Sequence, residues 1–340
     1  MSYKSSSKED EGDTNPIKKR NGKWNLQRLL VIITENRIIL LGLLIAILSG
    51  WMTVAYPEAF PQADNFAAVL LDAAQGGILA VGMMILLVGG VFDLSVGSIL
   101  AFSGIIAGIL VKNIGLPPIV ALLGGILAGS LCGAINGFII TRLRINALIT
   151  TLAMQGILRG VTQLFASSGV ANLPDGYRPF GQTKFLGLQS PFWVMAVVLL
   201  VAWFAMTRTR FFRQFYYVGS NEKAASLSGI KVDRVTFIGF VLMGTLAGLA
   251  GVLLASRLSN AVVLAGVGTD LRAMTASILG GASLSGGVGT IPGAFLGVLF
   301  MSLIQNALII ARVPVFFQSI VVGLVLLIAI GIDQLGQRKK

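Results

Sequence analysis

The chain of 340 residues contains no histidine and a single cysteine, Cys132. Without histidine, the sequence excludes histidine-ligated metal sites, Ser-His-Asp triads and histidine proton relays. A lone cysteine cannot form a disulfide within the chain. We therefore expect no metal site and no catalysis of these kinds on this chain.

Charged residues are also scarce, at 12% of the chain against about 25% in ordinary soluble proteins. Hydrophobic residues make up 55%, and the mean hydropathy is +0.85. Apolar runs of about 17 to 25 residues are long enough to cross a bilayer. The sequence thus predicts an all-α, polytopic transmembrane helix bundle of about ten spans. The predicted spans are 38–56, 66–89, 94–112, 117–140, 145–167, 190–207, 235–256, 272–287, 290–311 and 315–332.

The net charge of +12 does not come from one basic patch, which argues against nucleic acid as a partner. Lysine and arginine instead concentrate in alternate loops, the pattern of cytoplasmic loops in membrane proteins. The pattern predicts cytoplasmic N- and C-termini in an inner (cytoplasmic) membrane. A minority of basic residues is predicted outside or within a span: Lys112, Arg159, Arg178, Lys184, Arg257, Arg272 and Arg312.

The two ends of the chain are polar. Residues 1–37 mix both charges with serines and predict a disordered cytoplasmic tail. We interpret the apolar run that follows as a retained first span rather than a cleaved signal peptide. The transmembrane domain is predicted over 38–334, with a short basic cytoplasmic tail at 335–340.

Glycine is abundant and falls at helical spacing in the fourth predicted span. Gly125, Gly129, Gly133 and Gly137 recur every four residues. Lipid provides no hydrophobic drive between helices, so a stripe of small residues acts by letting two helix backbones approach closely. We expect this stripe to be a packing surface.

The tetrapeptide 284–287, Leu-Ser-Gly-Gly, resembles part of the signature motif of ABC ATPases. However, the chain has no GxxxxGK[ST] phosphate loop, and the tetrapeptide lies between two apolar runs. The glycines of this segment therefore predict a tight turn or a close helix contact, and we expect no ATP site here.

The longest predicted cytoplasmic loop contains a short helix within residues 219–230. Ser220 or Asn221 can cap its start, Glu222 suits its first turn, and Gly229 can end it. Its small residues, Ala224 and Ala225, suit insertion into a groove of a partner protein. On spacing alone, an ordinary surface helix is an equal alternative.

Three segments together resemble the membrane permeases of ribose-type monosaccharide ABC importers. They are 89–98 (GGVFDLSVGS), 219–230 (GSNEKAASLSGI) and 278–289 (ILGGASLSGGVG). Related permeases for branched-chain amino acids and nucleosides share parts of these motifs. The motif residues are Asp93, Leu94, Ser95, Gly97, Gly280, Gly281, Gly286 and Gly287.

This resemblance implies a non-catalytic subunit that translocates a ribose-like sugar into the cytoplasm. It implies a homodimer or heterodimer of permeases, a periplasmic sugar-binding protein, and a separate ABC ATPase that holds the ATP and Mg. No cofactor is expected on this chain. The resemblance also assigns the short helix as the coupling helix seated on the ATPase, with Gly219, Asn221, Glu222, Ala224, Ala225 and Gly229.

The chain departs from the family pattern at three positions. Asn146 stands where proline is common, Arg272 replaces a usual acid, and Thr275 replaces a usual alanine. These departures bear on the identity of the solute more than on transport itself.

Polar groups inside spans are costly and mark cavities or partners. Asp72 and Arg159 are the mid-span charges, and we predict that they form a buried pair or contact the solute. A neutral sugar needs hydrogen-bonding side chains, which these could supply: Asn136, Thr150, Thr151, Gln155, Gln163, Gln305 and Asn306.

A gradient-driven secondary transporter that uses Asp72 and Asp93 is the rival interpretation. The scarcity of such acids and the lack of histidine count against it.

Overall fold

The computed structural model describes residues 37–337, so nearly all of the predicted tail 1–37 and residues 338–340 lie outside the described residues. Among these described residues, the regular secondary structure is helical apart from one small hairpin and an isolated bridge between Val170 and Ala261. The helices are α1 (Arg37–Ala55), α2 (Ala63–Val88), α3 (Val96–Gly108), α4 (Pro118–Arg142), α5 (Ala147–Phe165), α6 (Pro179–Gln182), α7 (Ser190–Arg208), α8 (Arg210–Ser220), α9 (Glu222–Leu227), α10 (Val232–Leu258), α11 (Thr269–Leu279), α12 (Ile291–Ile310) and α13 (Val315–Gln337). The antiparallel hairpin joins β1 (Lys184–Phe185) and β2 (Leu188–Gln189).

The predicted all-α, polytopic fold is confirmed. In the described part of the chain, seven helices are long and apolar enough to cross a membrane: α1, α2, α3 with the π turn Ile109–Asn113, α4, α7, α10 and α12. The predicted count was about ten. Helix α5 occupies the predicted span 145–167, but Gln155, Arg159 and Gln163 lower its hydropathy. Helix α13 covers the predicted span 315–332 and runs on to Gln337.

The predicted span 272–287 is wrong as a single crossing helix. Helix α11 has only 11 residues, about 16 Å of helix, and cannot cross a hydrocarbon core of about 30 Å. The chain leaves it through Gly280 and turns at Gly281, Gly286 and Gly287, whose φ values are +99°, +85° and +75°. Such φ values favour glycine over residues with a Cβ atom. Helix α11 is therefore a half-helix.

The predicted glycine stripe is confirmed as the contact between α4 and α10. A Cβ atom added at Gly129 would lie 2.6 Å from the carbonyl oxygen of Gly244 and 2.7 Å from the Cα of Gly248. One added at Gly137 would lie 3.1 Å from the Phe237 oxygen. The two backbones are too close for side chains on this line, so the sequence must keep glycine there.

Helix α10 runs from one end of the bundle to the other. Its 27 residues extend about 40 Å. Asp233 at its start forms an ion pair with Arg144, at 2.9 Å. Near its end, the Ser256 hydroxyl donates to the carbonyl oxygen of Tyr177 at 2.7 Å. We call the end with segment 166–189 the hairpin end, and the opposite end, with α8 and α9, the loop end.

Candidate functional site

Helix α9 lies at the loop end and corresponds to the predicted coupling helix. The side chain of Asn221 caps it by accepting a hydrogen bond from the Ala224 N–H, at 2.9 Å. Glu222 lies in the first turn, and Gly229 follows the helix with φ +85°. One assignment needs correction: Gly219 belongs to α8, not to α9. Asn221 has an extended conformation, separates α8 from α9 and caps α9 as predicted.

The two alanines of α9 lie on different faces of the helix and differ in exposure. Ala224 is exposed, whereas Ala225 is only 4% exposed and packs into the main core of its own chain. The prediction that both alanines face a partner is therefore wrong for Ala225. Adjacent positions on a helix are separated by about 100°, so they cannot share one face. The outward apolar residue is Leu227, which is 91% exposed.

A wide groove of about 1350 Å³ opens beside α9. Its walls come from α9, the end of α4 and the start of α10. Its charged lining residues are Arg142, Arg144, Glu222, Lys223, Lys231, Asp233 and Arg234. Basic residues outnumber acidic ones, so the groove favours an acidic or polar surface on whatever occupies it.

Helix α8 is bound to the rest of the bundle through four glycines, Gly90, Gly219, Gly286 and Gly287, which we call the glycine junction. A Cβ atom added at Gly219 would overlap the carbonyl oxygen of Val88 and lie 2.6 Å from the Gly287 nitrogen. One added at Gly286 would lie 2.9 Å from the Cα atoms of both Gly219 and Gly90. The junction joins the ends of α2 and α8 to the loop after α11.

Two hydrogen bonds reinforce the glycine junction. The Gly287 N–H donates to the carbonyl oxygen of Val88 at 2.9 Å. The Tyr216 hydroxyl on α8 donates to the carbonyl oxygen of Gly289 at 2.9 Å, and burial raises the pKa of this phenol. The neutral hydroxyl is the form that can donate this bond. A displacement of α8 would therefore be transmitted to the end of α2 and to the loop after α11.

The motif residues Asp93 and Ser95 build the start of α3. Both are fully buried, and the Asp93 carboxylate accepts hydrogen bonds from the Ser95 N–H at 2.7 Å and the Ser95 hydroxyl at 2.6 Å. Asn136 on α4 donates to the Ser95 oxygen at 2.9 Å. These groups stabilise the turn between α2 and α3, where Asn136 is fully buried; a pathway role for Asn136 stays a prediction. Leu94 between them is buried.

Two further motif glycines, Gly97 and Gly280, also lie at close contacts between backbones. Gly97 faces Gly266: a Cβ atom added at Gly266 would lie 2.6 Å from the Gly97 oxygen. Gly280 faces Gly293, and its added Cβ would lie 2.6 Å from the nitrogen of Ala294. These motif glycines therefore lie where the segments flanking α11 contact α3 and α12.

The predicted ion pair between Asp72 and Arg159 is not formed. Asp72 on α2 instead forms a bidentate ion pair with Arg272 on α11, and one of its two nitrogen–oxygen distances is 3.2 Å. Arg272 also donates a hydrogen bond to the Ser302 hydroxyl on α12 at 3.1 Å. Arg159 donates to the carbonyl oxygen of Val263 at 2.6 Å. Arg272 was predicted outside the membrane, but the half-helix carries it into the bundle beside Asp72.

The pair lines a cavity of about 200 Å³ between α2, α11 and α12, which we call the α2–α11 cavity. Its polar lining residues are Asp72, Gln75, Thr269 and Arg272. Gly76, Ala273, Ala276, Val298 and Met301 complete its wall. Of the nine polar residues predicted for a pathway or pair, only Asp72 lines this cavity.

The other predicted polar residues make separate contacts. Gln155 donates to Asp270 at 3.4 Å, on the side of α11 away from Arg272. Asn306 donates to Asn65 at 2.7 Å. Gln75 was not predicted as a site residue, because its neighbours in the sequence are small and apolar. The departure of Arg272 from the family pattern was the signal that could have placed it in the site.

Reversing the ion pair tests its geometry. We expect Asp72→Arg or Arg272→Asp alone to cost about 2 kcal/mol of stability, below the roughly 3–5 kcal/mol of a fully buried pair, because Asp72 is two-fifths exposed. The combined Asp72→Arg/Arg272→Asp variant should recover folded yield and melting temperature in detergent. As a control, Asp72→Arg combined with Arg159→Asp should show no recovery. Equal recovery in both combinations would contradict the assigned pair.

The chain matches known proteins over most of its length. Residues 65–330 match the family described as branched-chain amino acid transport system, permease component. The chain is 38% identical to the L-arabinose ABC transporter permease protein of Azospirillum brasilense over 321 residues, covering 94% of this chain and 91% of that protein. It is 36% identical to the ribose import permease protein of Escherichia coli K12 over 307 residues, covering 89% and 94%.

A third relative is the ribose import permease protein of Bacillus subtilis 168. It is 38% identical over 280 residues, which cover 81% of this chain and 86% of that protein. The resemblance to ribose-type permeases, read from the three motifs, is thereby confirmed. The chain belongs to the permease-component family of these transport systems.

Proposed function

We propose that this chain is the membrane-spanning subunit of an ABC importer that carries a pentose into the bacterial cytoplasm. The observation that carries the proposal is the identity of 36–38% to ribose and arabinose permeases over 81–94% of the chain. The subunit is non-catalytic. ATP and Mg belong to a separate ATPase.

The loop end suits the ATPase. Helix α9 exposes Leu227 beside a groove with more basic than acidic residues. A partner could therefore make an apolar contact with Leu227 and ion pairs with the groove. With the loop end in the cytoplasm, the hairpin end faces the periplasm and the sugar-binding protein. A second permease copy or a paralogue completes the dimer within the inner membrane.

The glycine junction could transmit a movement of the ATPase from α9 to the helices of the membrane bundle. Helix α9 is separated from α8 only by Asn221, and α8 meets the ends of α2 and the α11 loop at Gly219. A closely packed contact between backbones transmits a displacement instead of absorbing it. Movement of α9 by the ATPase would thus move α2 and α11, which line the α2–α11 cavity.

A branched-chain amino acid is the second candidate solute, because the family description names that class. Uptake of labelled ribose, arabinose and leucine by vesicles that contain the whole transporter distinguishes the two. Accumulation of leucine without either pentose would overturn the proposed solute.

The energy source has its own test. We expect pentose uptake to fall to background when the ATPase is replaced by a catalytically inactive variant, even with the proton gradient intact. Collapsing the gradient with a protonophore should leave ATP-driven uptake unchanged. Concentrative uptake without a working ATPase would favour the secondary transporter driven through Asp72 or Asp93. In the structure these acids are engaged by Arg272 and by Ser95 with Asn136, respectively.

A further inference from the structure

Resting on the proposed function, we propose that the α2–α11 cavity is a contact site for the translocated solute. In this site, the Asp72–Arg272 pair and Gln75 select a neutral solute with adjacent hydroxyl groups. The pair would thus be a specificity element and not only a structural link between helices.

The position of the cavity suits a translocation site. Asp72 lies nine residues into α2, about 14 Å along the helix, and Ser302 lies near the middle of α12. The N-terminal residue of the half-helix α11, Thr269, lines the same space. Solute sites of transporters commonly lie at mid-membrane depth beside discontinuous helices.

The size of the cavity restricts the solute. The cavity has a volume of about 200 Å³. Drug-sized pockets begin at about 300 Å³. The site therefore suits a small polar molecule, and Val298 and Met301 provide an apolar wall for its carbon skeleton.

The pair retains hydrogen-bonding capacity. A guanidinium has five N–H donors, and Arg272 makes three of its bonds to Asp72 and Ser302. A carboxylate accepts about four bonds, and Asp72 receives two from Arg272. Among the described residues, the Gln75 side chain has no hydrogen-bond partner, and Gln75 lines the cavity. Donors and acceptors thus stand side by side.

This arrangement favours a neutral solute over a charged one. The two charges compensate each other, so the cavity has no net charge from the pair. A charged solute would have to separate Asp72 from Arg272, and removing a partner from an ion pair within a bundle is costly. Adjacent hydroxyls can instead donate to Asp72 and accept from Arg272 without separating them. A zwitterionic amino acid is the competing solute class.

Protection of an introduced thiol tests occupancy of the cavity. In a Cys132→Ala background, Ala273→Cys places a single thiol in the cavity wall, and the matched control Ala59→Cys places one at an exposed position outside both the cavity and α9. Vesicles with the whole transporter are labelled with a small methanethiosulfonate reagent. At ten times the dissociation constant, D-ribose or L-arabinose should slow labelling of Ala273→Cys about tenfold, since only the empty fraction reacts. The control should be unaffected.

Neutralising both charges tests selection. We expect Asp72→Asn/Arg272→Gln to remain folded and to lower pentose uptake by about tenfold or more, because hydrogen bonds to charged groups are lost. The matched control, Asp64→Asn/Arg312→Gln, makes the same two changes at exposed positions and should transport normally.

The outcomes separate the two proposals. If the unaltered transporter takes up neither pentose, the proposed function fails, and this inference fails with it. If it takes up pentose, but the sugar gives no protection or the double variant transports normally, only the site is overturned. Protection by leucine without protection by pentose also overturns it and identifies a zwitterion site.

Discussion

Gly219→Ala should sharply reduce the amount of folded permease, although alanine is the best helix former and Gly219 lies within a helix. The added methyl group would overlap the carbonyl oxygen of Val88 and lie 2.6 Å from the Gly287 nitrogen. Both obstacles are backbone atoms, so no side chain can rotate away. Overpacking typically costs about 1–3 kcal/mol, and we expect the upper end of that range here.

The measurement is the melting temperature and the monodisperse yield of detergent-solubilised protein. Gly160→Ala is the matched control, because Gly160 is an exposed helical glycine with nothing within 4 Å of its added Cβ. That change should be neutral or stabilising by up to about 1 kcal/mol. Equal melting temperatures for the two variants would show that the glycine junction is looser than described.

Leu227→Asp should leave the permease folded and remove the ATPase from the complex. Leu227 is 91% exposed, so replacing it changes the stability of the permease by no more than about 0.5 kcal/mol. Burying a leucine side chain contributes about 1.5–3 kcal/mol and burying an unpaired aspartate is unfavourable, so ATPase binding should weaken by more than tenfold. Co-purification of the ATPase with tagged permease measures the effect, and uptake should be lost with it.

Two variants sharpen this test. Ala225→Trp should lower the folded yield of the permease itself, because Ala225 is buried within its own chain. Leu186→Asp changes another strongly exposed leucine, at the hairpin end, and should retain the ATPase. If Leu227→Asp permease retains the ATPase at the unaltered level, α9 is not the seat of that partner.

The short helix illustrates what a sequence predicts well. Its cap at Asn221 and its stop at Gly229 depend on the backbone conformations of neighbouring residues, and both appear as predicted. The departure at Asn146 has an equally local consequence, because its side chain accepts from the Leu148 N–H at 2.8 Å and caps α5. The exposure of Ala224 and Ala225 could not be predicted from neighbouring residues, because it depends on how α9 is rotated against the bundle.

The sequence by itself determined that the chain is a helical membrane protein, where most spans lie, and that α4 packs through its glycine stripe. These properties follow from composition and from periodicity within single helices. Only the tertiary structure decided that Asp72 pairs with Arg272, 200 residues away, and not with Arg159. It also decided that the motif glycines Gly286 and Gly287 meet Gly90 and Gly219 at one junction and that α11 is a half-helix. Such contacts depend on the relative rotation and depth of separate helices, which no local pattern encodes.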